Sequence, residues 1–275
     1  MTAALSPSSP PDPAQEPSGA VAPAGPAPRD REPVLSLRGI ARTFEVPDAD
    51  PLHILTDVNL DVYPGEHVAI VGRSGTGKST LLNILGLIDQ ASAGTYLLDG
   101  VDTSTLGETR RAHLRGRTFG FVFQTFNLIP GLTTTENVTA PLLYDRGLAF
   151  WGRTARGEKL LRSVGLEEKI GGAINRLSGG EQQRVAIARS LARHPRIILA
   201  DEPTGALDVE TGASVMSLLE AQCTQSGAAL IVITHDLAVA SRASTQYRLE
   251  DGRLTPISAR PRTHAAPTEP GEVPA

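Results

Sequence analysis

Cysteine occurs once in this 275-residue chain, at Cys223. No disulfide within the chain can therefore staple the fold, and a reducing compartment with a buried, inert thiol is expected. Lysine is nearly as scarce. Lys+Arg total 26, and only Lys78, Lys159 and Lys169 are lysine, leaving 23 arginines. A lysine kept against that skew is more informative than usual. Long apolar runs are missing too: the longest, 228–233 and 197–200, have the length of buried strands. A membrane-crossing helix needs about 18–20 such residues. The first nine residues carry no positive charge and no apolar stretch follows them, unlike a signal peptide. A cytoplasmic chain is expected. Nor is there a charge excess of either sign, since the net charge is −4. That balance argues against a nucleic-acid scaffold, and no nucleic-acid partner is expected.

What is present falls into three parts. Residues 1–33 are dominated by Pro, Ala and Ser without periodicity, and 257–275 are similar. Such segments bury too little to offset their ordering entropy and are expected to be disordered tails. Residues 34–256 alternate short Val/Ile/Leu runs with helical patterning. Strands are expected at 34–44, 58–62, 67–71, 119–123, 197–200 and 230–233, and helices at 81–87, 134–143 and 153–164. This alternation predicts an α/β domain with a mainly parallel sheet covered on both faces. A helical insertion is expected over about 91–176. In such sheets ligands bind at the carboxyl ends of the strands.

The run 67–71 leads into Gly72-Arg73-Ser74-Gly75-Thr76-Gly77-Lys78-Ser79-Thr80. This matches the G-x-x-x-x-G-K-[ST] phosphate loop, with a strand before it and a helix after it. Glycines let successive N–H groups turn inward onto phosphate oxygens, and the helix start adds its positive dipole end. Lys78, one of the three lysines, supplies a charge for the β/γ-phosphates, and the Ser79 hydroxyl can ligate Mg²⁺. A nucleoside triphosphate with Mg²⁺ is the expected ligand.

A second constellation follows the run 197–200, whose tip carries Asp201 and Glu202. Two carboxylates at a buried strand end are costly unless paired. Mg²⁺ would pair Asp201, leaving Glu202 to polarise an attacking water as general base. Capping of the next helix is the structural alternative for the pair. Gln124 and His235 end two further strands of the same layer. The glutamine could reach Mg²⁺ or the water and sense the γ-phosphate, and the histidine could bond the γ-phosphate. Either one alone would be an ordinary polar residue at a strand end.

Leu177-Ser178-Gly179-Gly180-Glu181-Gln182-Gln183-Arg184 reads as a helix start, with Ser178 as N-cap and Glu181 completing a capping box. Val185, Ala188, Leu191 and Ala192 would form the buried face. This string resembles the signature motif of ABC (ATP-binding cassette) ATPases, and the remaining motifs fall into that family's order. They are the Walker A loop at 72–80, a Q-loop at Gln124, the signature, Walker B at 197–202, a D-loop Ala206-Leu207-Asp208 and a switch histidine at His235. The resemblance covers about 34–255. It implies the P-loop NTPase fold of an ABC nucleotide-binding domain, with an antiparallel β subdomain and a helical insertion. It also implies an ATPase that forms a head-to-tail homodimer or pseudo-dimer around two ATP. Each ATP would lie between one subunit's Walker loop and the other's Ser178, Gly179 and Gly180, with Asp208 nearby. Phe44 stands where the family places an aromatic against adenine; packing into the strand core is its ordinary alternative.

The strings around Gln124 (Phe121 to Leu128), Glu136-Asn137-Val138, 85–89 and 94–100 resemble the lipoprotein-release, macrolide-export and cell-division branch. That resemblance implies a membrane permease on a separate chain, holding the ATPase peripherally at the inner face of the cell membrane, with ATP cycling that drives either transport or the transmission of mechanical motion. Leu128, Ile129 and Leu132, beside Pro130-Gly131, are expected to face that permease, or else to pack the insertion's own core. Two competing readings have less support. A soluble ABC-type regulator of ribosomes or DNA usually carries two cassettes or a long coiled coil, and neither is present. A module that binds without turnover is disfavoured by the intact Asp201-Glu202 and His235.

Overall fold

The computed structural model describes residues 32–144 and 151–259, so the expectations for the tails fall outside the described residues except at their inner ends. Two sheets organise the domain. Strands β1 (Leu35–Phe44), β2 (Leu52–Val62), β4 (Ala93–Leu98) and β5 (Val101–Asp102) form an antiparallel sheet in the order β2-β1-β4-β5. Within β2, Val58, Leu60 and Val62 are buried while Asp57 and Asn59 are exposed, the period-two signature of a strand with one covered face.

The second sheet has six strands in the order β10-β9-β3-β8-β7-β6. They are β3 (His67–Val71), β6 (Phe119–Phe123), β7 (Ile197–Asp201), β8 (Ala229–Thr234), β9 (Thr245–Glu250) and β10 (Arg253–Ala259). All are parallel except the terminal pair β9–β10. The near-continuous apolar composition of β7 and β8 follows from burial on both faces. Ile197 and Leu199 of β7, with Ile231 and Ile233 of β8, face one core together with α1 (Lys78–Leu85) and the antiparallel sheet. Ile198 and Ala200, with Leu230 and Val232, face a second core. That core is shared with α3 (Thr134–Thr139), α4 (Arg153–Ser163), α5 (Gly179–Ser190) and α6 (Val209–Ser226). Between β5 and β6 lies α2 (Glu108–Thr118), and α7 (Leu237–Ala240) follows β8.

Several expectations move. The helix expected at 81–87 begins at Lys78 and ends at Leu85, because the phosphate-loop lysine itself opens it. The helical insertion expected from about 91 becomes helical on the second-core side only at Thr134. Before that come β4, β5, α2 and β6. Tyr96 and Leu98, buried with an alternate residue between them, were the strand signal in that stretch. The helix expected over 134–143 yields to a 3-10 turn at Ala140–Tyr144, where Pro141 has no N–H to continue an α-helical ladder. At the other end β10 runs to Ala259, past the expected boundary at 256. Cys223 lies in the second core, as expected, and burial pushes its thiol up to about 12.

Candidate functional site

The parallel register brings four strand ends to one edge. Val71 stands opposite Thr234, Asp201 opposite Ile233, and Phe123 opposite Asp201. The residues that follow are the Gly72 loop, Gln124, Glu202 and His235, so sequence positions more than 160 residues apart share one rim.

The loop from Gly72 to Gly77 leaves β3 and enters α1 at Lys78. Gly77 caps the helix with φ 95, a left-handed backbone that a side chain rarely tolerates. It brings no side chain to cap the first-turn amides, which are left for an anion. Lys78 Nζ donates to the carbonyls of Gly72 and Arg73, both at 2.8 Å. Thr76 Oγ1 donates to the Arg73 carbonyl at 3.0 Å, holding the loop as a closed turn. Gly75 continues the left-handed backbone at φ 82, and Ser74 and Ser79 are exposed on the loop and helix start, with Thr80 half-buried.

At the tip of β7, Asp201 feels three influences. Burial raises its carboxyl above the usual range, the neighbouring Glu202 raises it further, and the Lys78 charge opposes them. The Walker-type aspartate and the loop lysine are thus electrostatically linked. Glu202 adopts φ 44, unusual for a residue with a side chain, and its N–H donates to the Ile233 carbonyl at 2.8 Å. Its carboxylate is held by three donors. Thr234 Oγ1 reaches Oε2 at 2.8 Å, while the His235 N–H and Nδ1 reach Oε1 at 2.9 and 2.7 Å. An ionised carboxylate only accepts, so His235 carries its proton on Nδ1 there and presents Nε2 as the other ring nitrogen. His235, expected at a γ-phosphate, is thus bonded to Glu202 through Nδ1. Its side chain is 70% exposed. Thr234 was not singled out in the sequence, although a hydroxyl closing an otherwise apolar strand was a legible signal.

Gln124 is exposed at the end of β6 and lies over the loop after Glu202: a Cβ on Gly205 would stand 2.8 Å from its amide nitrogen. The capping box at Ser178 is formed. Ser178 Oγ accepts from the Glu181 N–H at 3.3 Å, and Glu181 Oε2 accepts from the Ser178 N–H at 2.8 Å. Of the two signature glycines, Gly179 is half-buried but Gly180 is buried, and a Cβ there would come within 2.5 Å of the Thr211 methyl. Gly180 is therefore required for packing against α6, whatever else it does. Asp208 caps that same helix: its Oδ1 accepts from the Thr211 N–H at 2.9 Å, which holds its carboxyl below the usual range. Phe44 is 39% exposed, with the Arg42 guanidinium 4.3 Å from its ring centroid, so it is not a core residue. Two residues of α5 to which sequence reasoning assigned no individual role, Gln183 within the signature string and Arg189 beyond it, also reach this rim. Arg189 donates to the carbonyls of Phe126 and Asn127 at 2.8 and 2.5 Å, and Gln183 donates to Pro203 and Phe123. A cavity of about 690 Å³ lies at the opposite, N-terminal ends of β6 and β7. Arg110, Arg117 and Arg196 help line it, and it has no part in the rim.

With this geometry in place, comparison with known proteins is decisive. The family model described as ABC transporter matches residues 55–205, more than half of the chain. The chain belongs to the ABC transporter family. It is one of that family's ATP-binding cassettes, and its mixed α/β sheets are those of the ABC fold. It is 45% identical over 240 residues to the macrolide export ATP-binding/permease protein MacB 1/2 of Paracoccus denitrificans, covering 87% of this chain and 35% of that relative. It is 46% identical over 222 residues to the pyoverdine export ATP-binding/permease protein PvdT of Pseudomonas syringae, covering 81% of this chain and 34% of that one. The chain thus spans about a third of the length of these relatives. Among solved structures it resembles the ABC cassette MJ0796 in a dimeric post-hydrolysis state bound to ADP and Pi. The TM-score there is 0.72 and the identity 41%, covering 80% of this chain and 96% of that one.

Proposed function

We propose that the chain hydrolyses ATP as a head-to-tail dimer and that the cycle drives a membrane permease. One observation carries the hydrolytic reading: Glu202, with three donors on its carboxylate, stands beside Asp201, whose carboxyl responds to the charge of Lys78. A water between Glu202 and a phosphate held in the Gly72-to-Thr80 loop is then the attacking group, and Glu202 takes its proton. His235 and Thr234 hold Glu202 in register. In this reading Gln124 senses the terminal phosphate, and Phe44 supplies an aromatic face for the base.

The residues fit a magnesium ion. Among the described residues no group of three or more His, Cys, Asp or Glu side chains could hold a metal by itself. Mg²⁺ is ordinarily held by one or two carboxylates together with substrate phosphates and waters, which suits Asp201, the Ser79 hydroxyl and the Gln124 carbonyl oxygen. It would neutralise phosphate charge and offset the Asp201 carboxylate that burial and Glu202 disfavour.

In the proposed dimer, Ser178, Gly179 and Gly180 of one copy meet the nucleotide of the other, with Asp208 beside them. The dimeric state of MJ0796 supports this arrangement. For the permease, the support is the pair of export relatives whose names join ATP-binding to permease. Among the described residues no helix is long and apolar enough to cross a membrane, so attachment would run through that permease. The contact expected at Leu128, Ile129 and Leu132 divides. Leu128 packs against the second core, whereas Ile129 is 44% exposed. Leu143 and Tyr144 of the same insertion are exposed as well, and they join Ile129 as the proposed contact.

The test is Glu202→Gln. ATP affinity should persist while single-turnover hydrolysis falls about 10²–10⁴-fold, the usual contribution of a general base. ATP should then hold the variant as a dimer in size-exclusion chromatography. A rate near wild type would remove Glu202 from the mechanism.

A further inference from the structure

Gln183 is completely buried on α5, five residues beyond the Ser178 cap. Its Nε2 donates to the Pro203 carbonyl at 2.6 Å and, more weakly, to the Phe123 carbonyl at 3.4 Å. Two carbonyls at one end of the amide fix its orientation, since the amide oxygen could not accept from either. These carbonyls flank the chemistry on both sides: Pro203 directly follows Glu202, and Phe123 directly precedes Gln124. Gln183 Oε1, by contrast, is buried with no hydrogen-bond partner among the described residues.

This imbalance identifies what the side chain does. A buried polar atom without a partner costs stability; an apolar side chain here would remove that cost at Oε1 and leave the Pro203 carbonyl without its donor, so the two effects oppose and the net change in stability is small. Packing alone is therefore served about as well by methionine, which has the length and flexibility of glutamine and no polar atom to strand. What the amide supplies that methionine cannot is a rigid tie from the signature helix to the backbone on which Glu202 sits. The tie matters there because Glu202 is held at φ 44, a conformation maintained only when its surroundings over-determine it.

We propose that Gln183 is a positioning residue for hydrolysis: by holding the Pro203 carbonyl it fixes the Glu202 carboxylate relative to the signature helix. This rests on the reading of Glu202 as the base. It extends that reading by making the placement of the base depend on the helix that meets the other copy's nucleotide.

The experiment is a double-mutant cycle between Gln183→Met and Glu202→Gln, read by ATP affinity, KM, kcat and melting temperature. In Gln183→Met, kcat should fall about tenfold, the worth of one hydrogen bond of about 1.4 kcal/mol. KM, ATP affinity and the melting temperature should stay at wild type. Added to Glu202→Gln, the same change should have no further effect on rate, because the tie acts through the residue already disabled. Should the methionine variant fail to fold, Gln183→Leu decides on the same measures. A wild-type kcat in Gln183→Met overturns the proposal and leaves the reading of Glu202 intact. So does a lowered kcat accompanied by a raised KM and a lower melting temperature, which marks a packing defect. Equal losses in both backgrounds place the tie elsewhere and overturn it too. A wild-type rate in Glu202→Gln removes the reading and the proposal together.

Discussion

Asp201 and Glu202 are adjacent carboxylates in opposite circumstances. Glu202 collects three donors, whereas Asp201 sits half-buried with its carboxyl raised by burial and by Glu202. A raised folded-state carboxyl means that the folded protein disfavours the charge. The penalty is absent at low pH, develops as pH rises through the ordinary carboxylate range of about 4, and persists at neutrality. Asp201→Asn should therefore melt at a higher temperature than wild type at neutral pH without nucleotide. That gain should vanish as the melting pH approaches about 4, and hydrolysis should be lost throughout. A variant that melts lower than wild type at neutral pH would mean Asp201 contributes to stability instead. Lys78 is the complementary case. Its ammonium is tied to two of the loop's own carbonyls, and Lys78→Ala should weaken ATP binding at least about 100-fold by titration calorimetry, given what charge-assisted phosphate contacts contribute. Unchanged affinity would mean that residues 72–80 do not cradle phosphate.

At the scale of the element, α5 is a polar-tipped helix enclosed by its neighbours. Its N-terminal turn is closed by Ser178 and Glu181, and its buried side carries Gly180, Gln183 and Ile187. Gly180→Ala places a methyl group 2.5 Å from the Thr211 methyl, an overpacking expected to cost about 1–3 kcal/mol. The melting temperature should drop by several degrees, and Thr211→Ser, which removes the opposing methyl, should restore most of it. Failure of that rescue would show that the clash lies elsewhere. The same helix illustrates how far sequence alone reaches. The capping box and apolar face were legible because they depend on local spacing, and the strand-tip residues were legible because each closes a short apolar run. Gln183 and Arg189 were not, since their partners are carbonyls of Pro203, Phe123, Phe126 and Asn127, set beside them only by tertiary folding. The spacing of Gln183 from Gly180 and Ile187 on one stripe was the available hint. The strands β4 and β5 were read into the helical insertion for a related reason: much of β4 is exposed, which weakens the alternation that marks a strand.

At the scale of the whole molecule, the proposed head-to-tail dimer makes each site a composite of two copies. Mixing Lys78→Ala with Ser178→Arg should then recover hydrolysis that neither variant has alone. In a mixed pair one site combines the intact loop of one copy with the intact signature of the other, as a heterologous interface requires. No recovery on mixing would argue that a single copy holds the complete site. Within one copy, chain order has its own effect. The strand β3 that launches the phosphate loop is flanked on both sides by β8 and β9, which come late in the sequence. During synthesis the ribosome must add everything from Gly72 to Glu250 before β3 has both neighbours, roughly 10–35 s at ordinary elongation rates. Through that interval at least one edge of the apolar strand β3 lacks its neighbour, the kind of edge that invites aggregation and chaperone capture. The strand carrying the loop proposed to hold the nucleotide is thus flanked on both sides only once most of the chain has been made.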